Sequence, residues 1–232
     1  MDRIEKIIAN NSSYTRSQIK ALLKAKKIKV NGEIITSSIK VSNLDEIYID
    51  ETKLEINKFH YILLNKPAGY VCANSDQINL TVFDYLKSLG LNLNFNKLHT
   101  VGRLDKDTTG ILLITDDGEY AHQLVNGKKH VAKVYDVLVD LPLKDELIQA
   151  FENGVDIGEN ELTKSAKLTI LSEYFCQLEI KEGKYHQVKR MFSKFGYTVK
   201  SLHRSVFGPY RLVDNNLKNG EFILLNNKEK NF

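Results

Sequence analysis

The amino-acid sequence predicts an α+β fold with a largely antiparallel sheet, preceded by a small basic module. Three observations carry this expectation. Strand-like runs outnumber helix-like runs and do not alternate regularly with them, which argues against a doubly wound parallel sheet. The polar stretch 51–58 (ETKLEINK) separates two parts of unlike charge. The length of 232 residues suits one large domain, or one small and one medium domain. The expected domains are 1–58 and 59–232.

The elements follow in chain order. Ile4, Ile7 and Ile8 lie on one helical face. Thr15, followed by Gln18, fits a capping box. The helix it opens buries Ile19, Leu22 and Leu23 and turns Lys20, Lys24 and Lys27 outward. KIKV-NG-EIIT then predicts a hairpin, because Asn31-Gly32 suits a type I′ turn. Tyr61 to Leu64 predicts a strand stopped by Lys66-Pro67-Ala68-Gly69, and Thr81 caps a helix to Leu89. Ile111 to Thr115 predicts a buried strand ended by the Asp-Asp-Gly turn. Further strands are predicted over Val131–Leu141 and Tyr174–Lys181. Further helices are predicted over Lys144–Glu152 and Lys184–Phe195, the last stopped by Gly196.

The net charge of +4 conceals a strong asymmetry. Residues 1–40 hold nine Lys and Arg against three acids, residues 41–180 thirteen against twenty-two, and residues 181–211 eight against one. Basic blocks on separate segments are the footprint of a phosphate-backbone binder. Solvated faces would also produce such asymmetry. In the first block, Arg16, Lys20, Lys24, Lys27 and Lys29 belong to a run with no acid from Arg16 to Lys29. In the last block, His186, Arg190 and Arg204 are the candidate contacts. No apolar run approaches the roughly 20 residues that span a bilayer. Cys72 and Cys176 match no metal or redox spacing, which predicts a reducing, cytoplasmic setting. The six histidines show no ligand spacing, and nucleotide, P-loop and metalloprotease motifs are absent. The chemistry expected is therefore free of metal and cofactor, with no membrane partner.

The densest polar segment is TVGRLDKDTTGILLITDDG, Thr100 to Gly118. It packs Arg103, Asp105, Lys106 and Asp107 into a loop that runs straight into an apolar strand. A charged loop held against a core strand suits a catalytic carboxylate. Asp105 is the first candidate. Asp107, Asp116 and Asp117 are the nearby alternatives and read better as loop and turn residues. On the helix predicted from Lys184, the residues Tyr185, Lys189 and Phe192 share one row, while His186, Arg190 and Lys194 form another. Lys189 then lies at the edge of the buried face and needs an anion, unless it snorkels to solvent. Tyr135 shares its strand face with Lys133 and Val137.

The segment RLDKDTTGILLITDDG closely resembles the RLD motif of pseudouridine synthases. LNKPAGYVC (64–72), KVY (133–135), LTKSAKL (162–168), EGKYHQVKRMF (182–192) and LHR (202–204) extend the match across residues 61–212. The last two motifs are most similar to the RsuA-like branch. The first module resembles the small RNA-binding domain named after ribosomal protein S-four. The resemblance implies a pseudouridine synthase fold and a monomeric enzyme acting without cofactor on small-subunit rRNA, at a uridine of the uridine-516 type. It implies Asp105 as the catalytic aspartate and Lys189 as its ion-pair partner. Tyr135 would stack on the target uracil, and Arg103 would fill the gap left by the flipped nucleotide. Two other readings are a large-subunit rRNA synthase of the same superfamily and a non-catalytic rRNA-binding assembly factor. The set Asp105, Tyr135 and Lys189 argues against the latter, because binding alone needs no such set.

Overall fold

The computed structural model describes residues 2–225 apart from 13, 43, 44, 55, 57, 58, 92 and 127–130. It divides into two units, Met1–Phe59 and His60–Phe232.

In the first unit, the helices Ile4–Asn10 and Arg16–Lys24 cover a four-stranded antiparallel sheet. Thr15 accepts from the Gln18 backbone N–H, and the Gln18 side chain accepts from the Thr15 N–H, so both halves of the capping box form. Ile28–Val30 pairs with Glu33–Ile35 across Asn31 and Gly32, whose φ values of 50° and 87° are those a type I′ turn requires. Ile4, Ile8, Ile19, Leu23, Ile28 and Ile47 make the core, with Leu22 only half-buried. The polar stretch predicted as a linker begins inside this unit. Thr52–Lys53 adds a strand beside Ile47–Ile49, and Leu54 and Ile56 pack on the core. Glu55, Asn57 and Lys58 lie outside the described residues.

The second unit is built on a nine-stranded sheet. Its spine runs Lys167–Ser172, Phe175–Ile180, Lys133–Val139, Val199–Phe207, Thr109–Thr115, Tyr61–Lys66 and Phe222–Leu224. Among the described residues every pairing along this spine is antiparallel except one, between Val199–Phe207 and Thr109–Thr115. This parallel contact joins two antiparallel halves through just two residue pairs, His203 with Thr109 and Arg204 with Gly110. The strands Tyr61–Lys66 and Ile111–Thr115 are buried along their whole length, which explains why they read as apolar runs rather than alternating ones. Helix Glu146–Glu152 packs on Lys167–Ser172 and helix Gln187–Ser193 on Val199–Phe207, with Phe151 and Phe192 meeting edge to face at 5.1 Å.

Gly110 makes the junction possible. Its φ is +109°, and a Cβ there would lie 2.2 Å from the Arg204 carbonyl oxygen. Only glycine lets the two strands approach this closely. One strand further on, a register shift between Val134 and Tyr135 takes the pairing from Val206 to Arg204 and bypasses Ser205. This bulge sets Arg204 opposite Tyr135.

Several predicted elements change length. The long strand is Lys133–Val139, and the Lys144 helix begins at Glu146. The last predicted helix begins at Gln187, because His186 adopts a left-handed conformation (φ 47°) at its N-cap. Tyr185 therefore precedes the helix, is two-thirds exposed and shares no helical row with Lys189. The sequence reading also missed helix Gly118–Asn126, which follows directly from the predicted turn.

Candidate active site

The loop Arg103–Thr108 is pinned by buried groups from neighbouring segments. Lys66, at the end of its strand and fully buried, donates to the carbonyls of Asp105 (3.2 Å), Lys106 (3.3 Å) and Thr108 (2.9 Å), and to Pro67 (3.1 Å). Burial pulls its pKa down, and the charges of Cys72, Asp107 and Asp105 act against this. The Gly69 N–H donates to the Lys106 carbonyl at 2.8 Å, and the Leu104 N–H reaches the Cys72 sulfur at 3.4 Å. The Thr108 N–H closes a turn on the Asp105 carbonyl at 3.1 Å. The loop backbone is thus held on several sides, and the Asp105 carboxylate is presented from a rigid support.

Around that carboxylate stand two side chains from the Gln187–Ser193 region. His186 Nε2 is 3.5 Å from Asp105 Oδ1, and Lys189 Nζ is 3.6 Å from Asp105 Oδ2. Tyr185 stacks on the His186 ring at 3.8 Å. Lys189 makes its shorter contacts elsewhere: both oxygens of Asp107 accept from its ammonium, at 2.7 and 2.8 Å. That hydrogen bond holds the Asp107 carboxyl below its ordinary pKa. The sequence reading expected Lys189 to pair with Asp105 and left Asp107 as a loop residue. In the structure Lys189 serves both carboxylates and is bound more closely to Asp107.

Asp105 opens onto a cleft of about 640 Å³ lined by Arg103, Lys133, Tyr135, Lys189 and Arg204 among others. Tyr135 and Lys133 reach it from the same face of their strand, as period two requires. Lys133 is 8% exposed, and burial first, then the nearby Arg204, brings its pKa down to about 8. A rigid carboxylate, an adjoining ammonium, a buried tyrosine and a cationic floor suit chemistry in which a carboxylate acts at a sugar carbon while charge develops on a leaving base.

Two expected RNA contacts are spent inside the protein. Arg204 is 1% exposed, donates through Nε (2.8 Å) and one terminal nitrogen (2.6 Å) to the Ile111 carbonyl, and lies 4.6 Å from the centre of the Phe207 ring. It braces the parallel strand pair beneath the cleft and is not a surface phosphate ligand. Arg190 donates to Glu161 (2.6 Å) and to the carbonyls of Ile157 (3.1 Å), Gly158 (3.2 Å) and Tyr185 (3.1 Å). It ties the 157–161 loop to the helix start. His186 is a neighbour of Asp105 and not part of a separate basic row. Arg103 is exposed at the cleft and makes no ion pair among the described residues.

In the first unit, Lys27 pairs with Asp50 (3.0 Å) and Lys29 with Glu51 (2.6 Å). Arg16, Lys20 and Lys24 are exposed and make no ion pair among the described residues. Asp116 and Asp117 are structural. Asp116 receives the His60 N–H at 2.7 Å, and Asp117 accepts from the Tyr61 hydroxyl and from the Tyr120 N–H at the start of a helix.

Sequence reasoning missed Lys66 and Lys133 as buried cations, because lysines in polar motifs are ordinarily exposed. The usable signal was position: Lys66 follows an apolar run with only Asn65 between, and Lys133 shares a strand face with Tyr135.

The family model described as RNA pseudouridylate synthase matches residues 60–194, and that of the S4 domain matches residues 3–47. The chain is 42% identical over 98% of its length to the ribosomal small subunit pseudouridine synthase A of Haemophilus influenzae, covering 97% of that protein. It is 36% identical to the protein of that name from Escherichia coli K12, again over 98% of this chain and 97% of the other. A crystal structure of a pseudouridylate synthase superposes with a TM-score of 0.67 at 40% identity, covering 99% of this chain and 98% of that one.

Proposed function

The chain belongs to the RNA pseudouridylate synthase family and carries an S4 domain at its N-terminus, and on that premise we propose that it isomerises one uridine of small-subunit rRNA, of the uridine-516 type. The observation that carries the reading is the Asp105 carboxylate, held on a pinned loop at the wall of a nucleotide-sized cleft beside Lys189. The target uridine leaves its stack and enters the cleft, since its glycosidic bond is out of reach within folded RNA. Arg103, exposed at the cleft, takes the space that the base vacates. Tyr135 stacks on the uracil. Asp105 acts at the sugar carbon as nucleophile or electrostatic stabiliser while the bond to nitrogen opens and the bond to carbon forms. Lys189, 3.6 Å from Asp105, stands beside that carboxylate as its counter-charge.

The near full-length similarity to proteins named small-subunit synthases supports the choice of substrate. The S4 domain, with Arg16, Lys20 and Lys24 exposed on one helix, supports a phosphate-contacting role for the first unit. A cytoplasmic, monomeric enzyme that needs no cofactor completes the proposal.

The test is pseudouridine mapping in rRNA from cells with and without the gene, and on a small-subunit transcript treated with purified protein. One site is expected to depend on the protein. Asp105→Asn is expected to abolish the modification and leave RNA binding nearly intact. Dependence of a large-subunit site instead, or turnover by the Asn variant, overturns the substrate or the catalytic assignment respectively.

A further inference from the structure

Lys133 is a buried ammonium with too few acceptors. It is 8% exposed, and an ammonium offers three donors. Among the described residues its hydrogen bond goes to the Val131 carbonyl at 3.3 Å, and its other close neighbour is the face of the Phe207 ring at 5.9 Å. Glu182 lines the same cleft but makes no ion pair with it; the Glu182 carboxylate instead accepts from Gln187 and from the Lys164 N–H, both at 2.8 Å. Arg204, the neighbouring cation, is held by the Ile111 carbonyl. Burying a cation this way is costly unless an acceptor is supplied. The missing acceptor has to come from the cleft, which Lys133 lines.

Its position identifies the acceptor, given the uridine isomerisation proposed above, on which this inference rests. Lys133 stands on the same strand face as Tyr135, two residues away and so roughly 7 Å along the strand. A nucleotide that leaves its stack enters base first, while its phosphates stay with the strand at the mouth. A buried cation beside the stacking tyrosine therefore meets the base. We propose that Lys133 donates a hydrogen bond to a carbonyl oxygen of the flipped uracil and stabilises the negative charge that the base takes up when its bond to ribose opens. The pair of the broken C1′–N1 bond leaves with the uracil and spreads over N1, O2 and O4. It is returned through C5 to form the C1′–C5 bond, and the proton displaced from C5 ends on N1. Lys133 keeps its own protons throughout and acts as a fixed donor where charge develops.

The test begins with Lys133→Met, which keeps length and removes charge. The single-turnover rate on the small-subunit transcript is expected to fall about a hundredfold, the loss typical of removing one such donor. The Kd for RNA is expected to stay within about twofold, since phosphate contacts dominate affinity. A short RNA with 2-thiouridine or 4-thiouridine at the mapped target then locates the contact, because sulfur is a weak acceptor. With sulfur at the contacted position, the ratio of wild-type to Met-variant rates is expected to collapse towards one. An unchanged rate overturns the proposal, as does a loss confined to Kd, which would mark a phosphate contact. Equal thio effects in both proteins overturn it too, because they mean Lys133 acts only through the fold. A wild-type protein that makes no pseudouridine in this RNA refutes the underlying function, a result distinguishable from all of these.

Discussion

The ammonium of Lys189 lies 2.7 and 2.8 Å from the two oxygens of Asp107 and 3.6 Å from the nearer oxygen of Asp105. One cation from the Gln187–Ser193 helix thus bridges two carboxylates of the RLDKD loop, and Asp107 positions the lysine that faces Asp105. Lys189→Met is expected to return the Asp107 pKa upward to its ordinary range, read from carboxyl carbon shifts in an NMR titration, and to cut activity strongly. Asp107→Asn keeps the cation and is expected to cost only a few-fold in rate. Because the Asp107 pKa is lowered in the fold, its stabilising contribution is present above the ordinary carboxylate range and is lost as pH falls through the folded value. Its side chain is 73% exposed, so solvent keeps that contribution small.

Lys66→Met is expected to loosen the loop that carries Asp105. The variant leaves several carbonyls without their donor, and buried unpaired groups cost about 1–3 kcal/mol each. Urea denaturation is expected to show a loss of about 2–4 kcal/mol by the same principle. Activity is expected to fall further than stability explains, because Asp105 loses its rigid support. A variant with normal turnover and a normal midpoint would show that the remaining loop contacts suffice.

Gly110→Ala is expected to be among the most damaging single changes. The added Cβ would meet Arg204 backbone at 2.2 Å, in a backbone conformation of φ +109° that alanine rarely adopts. A loss of about 3 kcal/mol or more, or insoluble protein, is expected from strain and clash together. A substitution at Gly32 meets no atom within 4 Å and is expected to cost less, the strain of its φ of +87° without a clash.

Lys133 is expected to weigh against stability at neutral pH. Its folded pKa of about 8 is below the ordinary 10.5, so the protonated form is disfavoured in the fold. The penalty is complete below about pH 8 and fades as pH rises to 10.5, where the unfolded chain also loses its proton. Lys133→Met is therefore expected to be more stable than wild type at pH 7, by on the order of 2 kcal/mol, with the difference shrinking in that window. Denaturation series at pH 7 and pH 10 measure both. A Met variant that is less stable at pH 7 would mean the ammonium is better satisfied than its contacts indicate.

The triple change of Arg16, Lys20 and Lys24 to Ala is expected to weaken rRNA binding without unfolding the first unit, because all three side chains are exposed. The slope of log affinity against log salt is expected to become shallower by about 2, since each lost phosphate contact contributes roughly 0.7 on single strands. Lys27 and Lys29 already have acidic partners, so their replacement is expected to move the slope less. An unchanged slope in the triple variant would make this helix face a solvated surface.

The sequence by itself determined the features that depend on near neighbours in the chain. The Thr15–Gln18 cap, the Asn31-Gly32 turn, the buried run Ile111–Thr115 and the RLDKD loop entering it were all legible, because each is set by backbone geometry or periodicity over a few residues. The resemblance of motifs spread from residue 61 to 212 identified the family. Tertiary structure decided what each charged side chain is for. Lys189 reaches Asp107 across 82 residues, Lys66 reaches Thr108 across 42, and Arg204 reaches Ile111 across 93. No local pattern encodes such contacts. Arg190 and Arg204 looked like RNA contacts because a basic residue in a polar motif is ordinarily solvated. Both are consumed by internal carbonyls and carboxylates, and only the packing of the strands and loops around them decides that. The helix start moved for the same reason. Gln187 is held by Glu182 and Lys184, and His186 turns left-handed beside Asp105, an arrangement set by the cleft and not by helix propensity.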